Sequence, residues 1–226
     1  MTWSEIVVVV VVVLAVVVVS VWQSASRLDR LHRKVVASRI ALDAQLVRRA
    51  AVANELAASG ELDPVSSLLV ADAAIATSGE SAEDAGAREL LVAVPDLAAV
   101  VGRGKVPGAA IGQALGAGLG AGRERAESNL TAVLREALED TDEVAELRSS
   151  PAGAQLLDSL AAAWYRVQLA RRFHNEAVAQ TQRVRRKPVI RLLRLAGNAA
   201  MPQTVELDDA WPGALGHPGD HAGVAA

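Results

Sequence analysis

Cysteine is absent from this 226-residue chain. That excludes disulfides, thiolate zinc sites and a cysteine nucleophile, and it agrees with a domain in the cytoplasm. Aromatic residues are nearly as scarce, with one Phe, one Tyr and four Trp. A chain rich in Ala, Leu, Val, Arg and Glu with so few aromatics favours helices over sheets. Familiar catalytic patterns are also missing. Gly102-x-Gly104 and Gly116-x-Gly118 lack the third glycine of a dinucleotide loop, and Gly104-Lys105 lacks the surroundings of a phosphate loop. Gly79-Glu80-Ser81-Ala82-Glu83 departs from a hydrolase elbow at its last position. A di-iron bundle needs paired Glu-x-x-His motifs, yet Arg171 stands where the carboxylate before His174 belongs, and Asp29-x-x-His32 is isolated. His217 and His221, with Asp208, Asp209 and Asp220 nearby, lie in a Pro/Gly tail without the rigid surroundings that orient metal ligands. The net charge of −3 and the lack of stacking aromatics argue against nucleic acid. The expectation is therefore a non-enzymatic protein with no catalytic residues, no cofactor and no metal.

What the chain does have is a long apolar run. Fourteen Val, Ile and Leu side chains lie between Ile6 and Val21, bracketed by Trp3 and Trp22. As a helix, the distance between the two indoles is ~28 Å at 1.5 Å per residue, which matches a hydrocarbon core of roughly 30 Å. Indole rings favour the headgroup level, so the pair reads as the two edges of one membrane span. Valine is a mediocre helix former in water, but an extended segment in lipid would leave its backbone groups unpaired. The flanks set the orientation. Glu5 precedes the run, while Arg27, Arg30, Arg33, Lys34 and Arg39 follow it. The positive-inside tendency then places the N-terminus outside and the remainder in the cytoplasm of a single-pass cell-membrane protein. Ser24-Ala25-Ser26 offers small residues for signal cleavage, but the basic n-region is missing and the apolar run is long.

The pattern divides into an N-terminal anchor over 1–23, a helical bundle over 24–195 and a flexible Pro/Gly/acidic tail over 196–226. Arg27 to Ala58 is amphipathic, with Leu28, Leu31, Val35, Leu42, Leu46, Val52 and Leu56 at three- and four-residue steps. It continues from the span without an intervening Pro or Gly. Ser59-Gly60 stops it, and Asp63-Pro64 supplies an N-cap and a proline at the next helix start. A second helix runs from Pro64 to about Val101, interrupted near Ser78-Gly79 and Pro95. A glycine-rich connector spans 102–122, with Gly108, Gly112, Gly116 and Gly120 at every fourth position. That spacing is compatible with a connector, a helix-pairing face or a membrane-inserted piece. A third helix covers Arg123 to Leu147, and a fourth covers Pro151 to about Lys187. Pro188 interrupts it, and Val189 to Leu195 is a short apolar and basic piece. The fold class is all-α: a transmembrane helix followed by an antiparallel bundle of long helices.

Two stretches resemble the LemA family. Leu42-Asp43-Ala44-Gln45-Leu46-Val47-Arg48-Arg49 is similar to its I-D-V-Q-L-K-R-R segment, and Arg166 to Val178 is similar to its R-I-x-x-A-R-x-x-Y-N-x-A-V pattern. Asn175 retains the asparagine, while His174 replaces the usual aromatic. Pro188 stands where the family's Phe-Pro ends the helix, with Lys187 in place of the Phe. The likeness covers both ends of the soluble part, about half of the chain, and not residues 60–125. It implies a membrane helix followed by a long-helix bundle, and it implies no particular reaction. Asp43, Gln45, Arg48, Arg49, Arg166, Arg171, Asn175 and Pro188 are the residues it singles out as structural.

An antiparallel bundle rooted in a membrane alternates in direction, and the charges follow. The membrane-proximal pieces carry Arg27, Arg30, Arg33, Lys34, Arg185, Arg186, Lys187 and Arg191, while Glu136, Glu139, Asp142, Glu143 and Glu146 lie toward the distal end. The basic end is expected on anionic headgroups, with the apolar residues of 189–195 flat in the interface. Within the bundle, Asp43 is expected to pair with Arg166 or Arg171. The function that fits is a scaffold or partner-binding module for a protein partner the sequence does not name. The alternatives are a homo-oligomerising or membrane-remodelling protein using the glycine ladder over 108–120 and the interfacial segment 188–195, or an accessory subunit of a membrane protease or stress complex.

Overall fold

The computed structural model describes residues 3–83, 118–193, 195–196 and 200–217. Among these, the chain is helical with no strand. Helix α1 is Trp3–Ala58, a single helix of 56 residues. The apolar run and the amphipathic stretch are therefore one element, as the lack of a breaker at Gln23 to Ser26 allows. It is long and apolar enough to cross a membrane, with a mean hydropathy of 3.1 over a window that is 0% buried. Burial begins at Leu28 and continues through Leu31, Val35, Leu42, Leu46, Ala53 and Leu56. The N-terminal part of α1 thus projects out of the bundle that the rest of it helps to build.

Ala58 is followed by a turn in which Gly60 adopts φ +77°, a conformation open to glycine. Helix α2 is Pro64–Glu83. Asp63 caps it by accepting from Val65 N at 2.9 Å and Ser66 N at 3.1 Å. The expected extension toward Val101 and most of the glycine ladder lie outside the described residues. Helix α3 is Ala121–Ala137 and begins after Gly120, whose φ is +82°. Ala121 and Gly122 therefore belong to a helix rather than to the expected 102–122 connector.

The expected third helix over 123–147 is two helices. It breaks at Leu138, and Asp140 caps a new helix, α4 (Thr141–Ser149), by accepting from the amides of Asp142 and Glu143. A cap residue with its own acceptor competes well against an uninterrupted helix. Helix α5 is Pro151–Arg185, capped by Ser150 Oγ accepting from Gly153 N at 2.9 Å. Helix α6 is Pro188–Leu192.

Helices α1 and α5 run antiparallel. Leu28 and Leu31 pack near Val184, Leu42 and Leu46 near Val167, and Ser38 meets His174. Helix α2 returns beside α1 and packs on α3. Helix α3 runs in the direction of α1, since Asp43 pairs with Arg123 and Arg49 with Glu127. Among the described residues, the core has three levels. Leu28, Leu31, Val184 and Ile190 close the end nearest the apolar run, and Leu42, Leu46, Leu119, Val167, Val205 and Leu207 form the middle. Leu56, Val70, Leu134, Leu160 and Trp164 belong to a larger distal cluster.

Val205 and Leu207 belong to the tail expected to be flexible over 196–226. Residues 200–217 instead lie along the bundle, with Val205, Leu207 and Leu215 buried. Their burial offsets ordering entropy that the Pro, Gly and acidic content of this stretch would otherwise leave uncompensated. Residues 197–199 and 218–226 of the tail lie outside the described residues.

The α4–α5 junction is tight. A Cβ on Gly153 would collide with the carbonyl oxygen of Leu147, whereas one on Gly213 would meet open space. Gly153→Ala is expected to lower unfolding stability by about 1–3 kcal/mol, as overpacking does. Gly213→Ala should remain within about 0.5 kcal/mol of wild type in the same denaturant titration.

Candidate functional site

The most concentrated polar chemistry lies inside the bundle, between α1 and α3. Arg49 is fully buried. Its guanidinium donates to Thr131 Oγ1 at 2.9 Å, to the Glu127 backbone carbonyl at 3.0 Å and to Glu127 Oε2 at 2.9 Å. It also lies 5.4 Å from the ring centre of buried Trp164, within cation–π range. Arg123 Nε approaches Glu127 Oε1 at 3.7 Å, and Arg123 pairs with Asp43. Two cations and two anions thus alternate as Asp43, Arg123, Glu127 and Arg49. Burial of a charge is tolerated only with such partners. Glu127 is committed to two guanidiniums, an arrangement suited to fixing helix register rather than to proton transfer.

The expected pairing of Asp43 with Arg166 or Arg171 is corrected by this geometry. Asp43 faces α3. Arg166 is exposed on α5, and Arg171 turns toward the tail, where its Nε lies 2.8 Å from Asp209 Oδ2.

Residues 200–217 form a strap bonded to α3 on one side and α5 on the other. Asn175 holds Val205 twice, donating from Nδ2 to its carbonyl at 3.0 Å and accepting its amide on Oδ1 at 2.9 Å. Trp164 Nε1 and Gln168 Nε2 both donate to the Asp209 carbonyl, at 3.1 and 2.7 Å. Gln182 donates to the Pro202 carbonyl at 2.8 Å. From α3, Thr131 donates to the Asp208 carbonyl at 2.8 Å, and Ser128 accepts the Asp208 amide at 3.0 Å. Trp164, Gln168, Arg171 and Asn175 recur at three- and four-residue steps, so one face of α5 binds the strap backbone along its length. Thr131 joins the strap to the buried charges because it also receives Arg49. At the distal end, Arg148 donates to the Leu215 carbonyl at 2.7 Å, and Trp211 stacks on His217 with ring centres 4.5 Å apart.

A groove of about 480 Å³ runs along the outer seam of α1 and α5. Ala37, Ala41, Leu169, Ala170 and Phe173 give it an apolar wall, with Lys34, Gln45 and Arg166 also lining it. Phe173 is 55% exposed there. Arg48 is exposed elsewhere on α1.

The remaining sequence-selected residues gather at the end of the bundle nearest the apolar run. Arg27, Arg30, Lys34, Arg186, Lys187 and Arg191 are exposed, Arg33 pairs with Asp29, and Arg185 donates to the Ala200 carbonyl. Pro188 opens α6. Trp3 and Trp22 are exposed at the two edges of the apolar run. Among the described residues, no group of three or more His, Asp or Glu side chains is placed to hold a metal ion. No protein-family model, curated protein or solved structure matches the chain.

Sequence reasoning missed Arg123, Glu127, Thr131 and the strap. A signal for the first three was present, because they recur every fourth residue on the same face as Leu130, Leu134 and Leu138. A polar ladder continuing a leucine stripe marks buried charge. For the strap, the signal was the alternation of Val205 and Leu207 with Glu206 and Asp208.

Removing one member of the central pair should cost more than removing both. Arg49→Met is expected to destabilise the protein by about 3–5 kcal/mol by leaving Glu127 poorly compensated. The double variant Arg49→Met/Glu127→Leu should recover part of that loss in a denaturant-based mutant cycle.

His174, buried on α5, has Ser38 Oγ 3.1 Å from its Nδ1. Burial, aided by the nearby positive charge of Arg39, lowers its pKa to about 4. The unfolded chain binds this proton near pH 6.5 and the folded chain resists it. The contribution is therefore complete above about pH 6.5 and is lost as pH falls toward 4, by about 3 kcal/mol in total. His32, similarly lowered by burial and then by Arg185, adds in the same direction. The melting temperature of His174→Gln should fall less than that of wild type between pH 7 and 4.5. Parallel declines would contradict this assignment.

Proposed function

We propose that this protein is a single-span membrane protein whose helical bundle lies at the inner face of the cell membrane and serves as a scaffold for a protein partner. The observation that carries this reading is the N-terminal part of α1. Its apolar window is 0% buried, yet the same helix continues without interruption into the bundle core. An unburied surface of this kind is stable against lipid and costly against water. Arg27, Arg30, Arg33 and Lys34 follow the run, which supports an outside N-terminus and a cytoplasmic bundle. The scaffold role draws on the side chains. The buried charges and the strap contacts join helices to one another, and the exposed α1/α5 groove offers an apolar surface with a cationic border.

The LemA-like reading belongs to the same proposal. Its two segments, Leu42–Arg49 and Arg166–Val178, include Leu42, Leu46 and Val167, which share one core cluster. Arg49, Arg171 and Asn175 each bond to another part of the fold. This placement supports a structural role for those residues.

The cysteine-free chain allows a direct topology test. Ser4→Cys in intact cells should react with a membrane-impermeant maleimide, and Val65→Cys should react only after permeabilisation. The reverse pattern would contradict the orientation. A photo-crosslinking residue in place of Phe173 should give adducts with another membrane-associated protein. Adducts only between copies of the chain would favour the oligomer reading.

A further inference from the structure

We propose that α6 and the cations around it form a second contact with the bilayer, through which the bundle recognises anionic headgroups. This rests on the reading that the N-terminal part of α1 spans the membrane, and it adds a site on the opposite end of the chain.

The packing of Ile190 carries the proposal. Ile190 is buried against Leu28, Leu31 and Val184, so α6 is fastened to the first turns of α1 beyond Trp22. At 1.5 Å per residue, Leu28 and Leu31 lie about 9 and 14 Å past that indole. Headgroups occupy roughly the first 5–8 Å beyond the hydrocarbon core, and apolar side chains reach several ångströms from a helix axis. The fold thus holds α6 at the membrane surface, not at the far end of the bundle.

What α6 leaves uncovered fits that position. Leu192 is 84% exposed, and Val189 and Leu193 are also exposed. Ile190 is buried while its neighbours are exposed, so the helix has one face for the bundle and another open to the surroundings among the described residues. Arg186, Lys187 and Arg191 lie on or next to α6, and Arg27 and Arg30 on the turns of α1 that carry Leu28 and Leu31; all five are exposed. The one exposed carboxylate among them, Asp29, is paired with Arg33. Apolar side chains flanked by exposed cations bind an interface rich in negative lipid, and the attraction acts within a Debye length of about 8 Å. A soluble acidic protein would meet the same cations, but it would have to enter the narrow space beside the span. The bilayer already occupies that side.

A single fluorescent probe at Leu192→Cys in the full chain tests the contact, since the protein has no other thiol. The probe is read in nanodiscs by quenching from spin-labelled lipid, beside probes at Val12→Cys in the apolar run and at Leu68→Cys on exposed α2. In discs rich in phosphatidylglycerol, the Leu192 probe should be quenched several-fold more than the Leu68 probe. The difference should shrink in phosphatidylcholine alone and in the triple variant Arg186→Glu/Lys187→Glu/Arg191→Glu. Quenching at Leu192 no greater than at Leu68, with Val12 still quenched, overturns the contact and leaves the anchor intact. Equal quenching in both lipids overturns headgroup recognition. An unquenched Val12 probe overturns the anchor and the contact with it.

Discussion

The continuity of α1 is the constraint on which the rest of the structure depends. One helix carries both an unburied valine surface and the core leucines from Leu28 to Leu56. A helix without Pro, Gly or an inserted side chain does not bend sharply, so whatever holds its N-terminal part also sets the direction of the bundle. Helices α2, α3, α5 and α6 are positioned against it. Helix α2 returns from the Gly60 turn, α5 lies antiparallel along its length, and α6 closes the end nearest the valine run.

The bundle is fastened by polar groups as much as by packing. Arg49, Glu127, Arg123 and Asp43 join α1 to α3, which lies parallel to it and makes only slight contact with it otherwise. Apolar contacts alone tolerate small sliding of one helix on another. A buried guanidinium bonded to a carboxylate, a hydroxyl and a backbone carbonyl does not. The strap extends this fixation. Through Thr131 and Asp208 it meets the buried charges, and through Asn175 and Arg171 it meets α5. Tail, buried charges and long helices thus form one connected polar framework around the leucine core.

Much of the fold was legible in the sequence because helical periodicity is local. The stripe from Leu28 to Leu56, the Asp63-Pro64 start and the start at Pro151 all depend on residues within a turn or two. The break at Asp140 was less visible, since the leucine spacing of 130, 134, 138 and 147 persists through it while a carboxylate cap wins locally. The partner of Asp43 was not legible at all. Its choice among several arginines depends on which faces of α1, α3 and α5 meet, a tertiary fact. The strap was misread because composition suggested flexibility. Its order comes from α5 side chains bonding to its backbone, and backbone recognition leaves little trace in sequence.

The central claim is that the helix runs unbroken from the valine surface into the bundle. Paired spin labels at Val19→Cys and Val47→Cys in nanodisc-reconstituted protein test it by pulsed electron resonance. An unbroken helix places these positions about 42 Å apart along its axis at 1.5 Å per residue, so the account predicts a single narrow distance distribution near that value. A broad or distinctly shorter distribution would show a hinge between span and bundle and would contradict it.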